Sequence, residues 1–63
     1  MKELIKYFET VLMENEAAML DVTALLEGKI NDVASAYYRG KLEELENARS
    51  EFRRLLRKLK EIN

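Results

Sequence analysis

The chain has 63 residues, so it supports one small domain and a core of marginal size. Charged residues make up 37% and the net charge is −1, which excludes a strongly basic nucleic-acid protein and an acidic disordered tail. Cysteine and histidine are both absent, so disulfides, thiolate sites and the usual zinc sites are excluded. Ordering a chain costs on the order of 1.5 kcal/mol per residue, and one small core rarely leaves more than about 3–5 kcal/mol in hand. Without staples, self-association is the remaining route to stability.

Proline is absent, glycine occurs twice, and helix formers such as Leu, Glu, Lys, Arg and Ala dominate. No apolar run approaches the ~18 residues of a membrane span. Acidic Glu3 stands too early for a signal peptide, so a cytoplasmic protein is expected.

The first predicted helix covers about residues 2–27. Ile5, Phe8, Leu12, Asn15, Met19, Val22 and Leu26 recur at alternating spacings of three and four. Leu4, Val11, Ala18 and Leu25 widen this stripe into a broad core-facing surface. Gly28 follows the last periodic residue, where a left-handed C-terminal cap is expected. Asn31 or Asp32 then offers a side-chain oxygen to the first free N–H groups of the next helix. The connection is short, so the helices should be antiparallel neighbours.

The second predicted helix covers about residues 32–61. Ala34, Tyr38, Lys41, Leu45, Ala48, Phe52, Leu55, Leu59 and Ile62 continue the spacing, and Leu42 and Leu56 broaden it. Arg39, Glu43, Glu46, Ser50, Arg53, Arg57 and Lys60 are expected on the opposite face. The aromatics should pack: Tyr7 and Phe8 beside Phe52, and Tyr38 near Met19, Asp21 and Val22, with Tyr37 at the edge. Lys41, on the nominal stripe, can pack its stem while its ammonium reaches out.

A lone hairpin of two such helices leaves half of each stripe exposed. The expected architecture is therefore all-α: an antiparallel two-helix hairpin that dimerises into a four-helix bundle. A larger oligomer, or docking onto a different protein, is the alternative. The predicted dimer core is Ile5, Phe8, Leu12, Asn15, Met19, Val22, Leu26, Tyr38, Leu42, Leu45, Ala48, Phe52, Leu55 and Leu59. Asn15 is the one polar member of the first stripe, near its middle. There it can meet its own copy and fix register at some cost in stability, or bond locally at the stripe edge.

Charge is divided unevenly. Residues 1–31 carry six acids and three bases, and residues 32–63 six acids and eight bases. Five bases, Arg53, Arg54, Arg57, Lys58 and Lys60, fall in "RRLLRKLK" with no acid between them. The helix C-terminal dipole favours cations there. In one reading these bases meet Glu14, Glu16, Asp21 and Glu27 of a second hairpin running antiparallel to the first. In another they form a nucleic-acid face. A third reading lays the helix on an anionic membrane. It is disfavoured because Phe52, Leu55, Leu56 and Leu59 are needed in the bundle, and the remaining reading is an ordinary solvated face.

Ala36, Arg39 and Gly40 lie outside the stripe. Ala36 and Gly40, four apart, make a small-residue ridge that a partner protein or a further copy of the dimer can approach closely; the competing reading is an exposed glycine that is simply tolerated. No catalytic, cofactor or metal motif is present: the chain has no Gly-rich phosphate loop and no Ser-centred motif. The expected function is a non-enzymatic structural or protein-interaction module. A nucleic-acid-binding regulator is the alternative.

The segment Tyr37-Tyr38-Arg39-Gly40-Lys41-Leu42-Glu43-Glu44-Leu45-Glu46-Asn47-Ala48 resembles a pattern in small phage- and prophage-type helical proteins of bacteria. There, paired aromatics, a glycine and a Leu-x-x-Leu-x-x-Ala helix follow one another. This implies a small helical accessory protein. The size and hairpin plan are similar to the Rop type of plasmid RNA-binding four-helix dimer. That likeness implies architecture, and no RNA-contact residue carries over from it.

Overall fold

The computed structural model describes residues 2–62. It contains two helices, α1 (Lys2–Glu27) and α2 (Asp32–Ile62), packed side by side as an all-α helical hairpin. The backbone fills a rod of 47 × 14 × 11 Å.

Gly28 does not take the expected left-handed conformation, since no glycine has a positive φ. Its N–H instead donates to the Leu25 carbonyl at 3.2 Å, closing α1 with a tightened final turn. A Cβ at Gly28 would meet that carbonyl oxygen at 3.5 Å, an ordinary contact. The glycine therefore ends the helix through its low propensity, and no steric demand requires it.

Of the two cap candidates, Asn31 is the one used. Its Oδ1 accepts the Ala34 N–H at 2.8 Å, and its carbonyl accepts the Ser35 N–H at 2.9 Å. Asp32 sits in the first turn of α2 and Lys60 in the last, each the favourable sign for the helix dipole.

The α1 stripe faces α2 as the periodicity predicts: Ile5, Phe8, Leu12, Asn15, Met19, Val22 and Leu26 are all buried or half-buried. On α2 the seam runs one residue away from part of the expected line. Leu42, Arg49 and Leu56 occupy it beside Tyr38, Leu45, Phe52 and Leu59, and Leu56 is the most buried side chain of the helix. Lys41 is exposed. The reason is solvation: centring the seam on Lys41 would bury an ammonium, while this rotation buries leucines and leaves Arg49 half-buried. Phe8 and Phe52 meet across the seam with ring centroids 6.1 Å apart. Tyr7 packs edge-on against Phe8 at 5.6 Å and is otherwise exposed.

Candidate interaction surfaces

At the middle of the seam lies Asn15, only 7% exposed. Its Nδ2 donates to the Leu45 carbonyl of α2 at 3.1 Å. This bond is neither local nor at the stripe edge; it ties the two helices together. The Asn15 Oδ1 is buried and has no hydrogen-bond partner. An unsatisfied buried acceptor costs about 1–3 kcal/mol. Thr23, by contrast, settles its hydroxyl on the Met19 carbonyl of its own helix at 2.8 Å.

The seam has two edges, and they differ in chemistry. Along one edge, Glu9 and Glu16 of α1 face Lys60 and Arg53 of α2. Arg53 Nη2 donates to Glu16 Oε1 at 2.8 Å, and Lys60 Nζ lies 3.5 Å from Glu9 Oε2. Arg53 and Lys60 were expected on the face away from α1. Instead their long side chains reach around to it. Glu16, expected to meet a second hairpin, is held by Arg53 of its own chain. Both pairs are about half exposed, so each contributes no more than about 1 kcal/mol.

Leu4, Val11, Ala18 and Leu25 of α1 line the other edge, with Ala34, Lys41, Ala48, Leu55 and Ile62 of α2. Lys41 is its only charged member. Leu4 and Leu25 are 43% and 44% exposed and Ile62 72%, while Val11, Ala18, Ala34, Ala48 and Leu55 are half-buried. Tyr7 and Tyr37, both exposed, border this edge at its two ends. Its apolar strip runs the length of the rod, and no ion pair among the described residues crosses it.

The basic run near the C-terminus is only partly unpaired. Arg54 forms a two-pronged pair with Glu51, one turn earlier. The hydrogen bond from Arg54 holds the Glu51 carboxyl below its ordinary range, and Glu51 raises Arg54 in return. Because the Glu51 value is depressed, any stabilisation from this pair is present above the ordinary carboxylate range. It is lost as pH falls through the depressed value. Among the described residues, Arg57 and Lys58 have no carboxylate within ion-pair distance.

The paired tyrosines divide. Tyr38 is half-buried on the seam, and Tyr37 stands edge-on to it with centroids 5.2 Å apart, exposed. Ala36, Arg39 and Gly40 are exposed on the outer side of α2. A Cβ added at Gly40 would meet nothing within 4 Å, so no contact within the hairpin requires the glycine. Ala36, Tyr37, Gly40, Lys41 and Glu44 line a shallow open groove there.

Among the described residues no group of His, Cys, Asp or Glu is placed to hold a metal ion, and no helix is long and apolar enough to cross a membrane. The arrangement is a helical hairpin that offers surfaces. Compared with protein-family models, curated proteins and solved structures, the chain matches none.

Proposed function

We propose that this chain is a non-enzymatic interaction module: a helical hairpin that self-associates and, in the cytoplasm, presents the outer side of α2 at Ala36, Arg39 and Gly40 to a protein partner. The observation that carries self-association is the shortage of burial. The hairpin exposes 5064 Å², whereas a folded monomer of 7.4 kDa is expected to expose about 4,200 Å². The excess is roughly 850 Å², close to the ~800 Å² that each partner contributes to a standard protein interface. Among the described residues only Val22 and Leu56 form a buried apolar core, which is little to offset the entropy of ordering two helices.

The competing reading is a nucleic-acid regulator that uses Arg53, Arg54, Arg57, Lys58 and Lys60. Three of those five already face a carboxylate of the same chain, which weakens their pull on phosphates. Sedimentation equilibrium on the full chain tests the leading reading. A mass of twice the monomer or more at micromolar concentration is expected. A monomer that stays helical on dilution would sink it. RNA or DNA binding that weakens steeply with added salt would favour the competing reading.

A further inference from the structure

We infer that the surface covering the apolar edge is a second copy of this chain, docked with its loop at the opposite end of the rod. This rests on the proposed self-association and adds which face meets, and in what direction. Two observations carry it.

The first is the contrast between the edges. The Glu9–Lys60 and Glu16–Arg53 pairs close one side of the seam, whereas leucine, valine, isoleucine and alanine, with the single charge of Lys41, line the other. The unburied area is about the size of one partner's share of an interface.

The second is the size profile of the apolar edge. On α1, Leu4 and Leu25 lie equally far from the two helix ends, and so do Val11 and Ala18. A two-fold axis across the middle of the rod therefore sets Leu4 against Leu25 of the second copy and Val11 against its Ala18. On α2 the same axis passes near Ala48, setting Ala48 against itself and Ile62 against Ala34. Large side chains then meet small ones at two of these positions, and the alanines at the axis allow close approach. With both loops at the same end, α1 would lie over α2 of the copy. Leu4 would then meet Leu55 and Ile62, while Ala18 met Ala48, crowding one end and leaving a gap in the middle.

The test uses the full chain. Val11→Glu should abolish the dimer in sedimentation equilibrium, while Leu20→Glu, on an exposed part of α1 away from this edge, should leave the mass unchanged. Because Val11→Glu can also unfold the hairpin, two further variants read the arrangement in an otherwise intact protein. The native chain has no cysteine, so Ala48→Cys should oxidise to a covalent dimer and exposed Ala24→Cys should not. A spin label on Lys29→Cys should report a separation comparable to the 47 Å length of the rod. A short loop-to-loop distance, a cross-link at Ala24 in place of Ala48, or an unchanged mass for Val11→Glu would overturn the arrangement alone. A folded monomer would overturn self-association as well.

Discussion

The two edges of the hairpin flank the same seam and come from equivalent helix positions, yet they solve burial differently. On the edge with Glu16 and Arg53, long side chains from both helices bridge over the seam and keep their charges in water. On the edge with Val11 and Ala48, side chains are too short to bridge anything and too apolar to be solvated well. The first edge is complete within one chain. The second stays open along the single chain, and it is the edge that the proposed second copy would cover. What the difference teaches is that a helix pair is not a closed unit merely because its seam is packed. The residues one step to each side of the seam decide whether a further layer is needed.

That contrast ranks the consequences of mutation. The largest effect belongs to a charge on the apolar edge, as in Val11→Glu. Next comes Asn15→Leu, which removes the orphaned acceptor and adds apolar contact. It should stabilise the protein by about 1–2 kcal/mol, seen as a thermal midpoint several degrees higher. At the same time it should broaden the single loop-to-loop distance into more than one, because the polar constraint on register is gone. A lower midpoint with one unchanged distance would mean that the amide contributes to stability and not to register.

Gly40→Ala is the next in size. The new methyl meets nothing within the hairpin, and alanine is the better helix former, so stability should rise by about 1 kcal/mol. If capture of a protein partner weakens while stability rises, the Ala36–Gly40 ridge is a contact surface. If capture is unaltered, the glycine is simply tolerated there. The smallest effect is expected on the polar edge. Glu9→Gln combined with Glu16→Gln should cost less than about 1 kcal/mol in chemical denaturation, and less still at high salt. A larger loss would show that this edge also supports the assembly and that the two edges do not differ in this respect.

Much of this was legible from residue spacing. The α1 stripe, the helix limits near 27 and 32, and the short connection all follow from where apolar residues, Gly28 and Asn31 fall. Legibility failed on α2 because apolar residues occupy two adjacent lines there. Leu42 and Leu56 compete with Leu55 and Ile62 for the seam, and helical periodicity alone does not choose between lines one residue apart. Burial resolved it, through the cost of enclosing Lys41. The placement of Arg53 and Lys60 beside α1 has a similar origin. A helical wheel records where a Cα points, whereas an arginine or lysine can carry its charge a full turn away.

The sequence by itself determined two helices, their antiparallel order and the polar residue at the centre of the stripe, because these depend on local propensity and period. Only the tertiary structure decided which α2 line faces α1, that Asn15 spends its donor on Leu45 and leaves its acceptor bare, and that one edge is closed by ion pairs while the other stays open. Those outcomes depend on the rotation of one helix against the other. That rotation is fixed by competition among side chains far apart in the chain, and no local pattern encodes it.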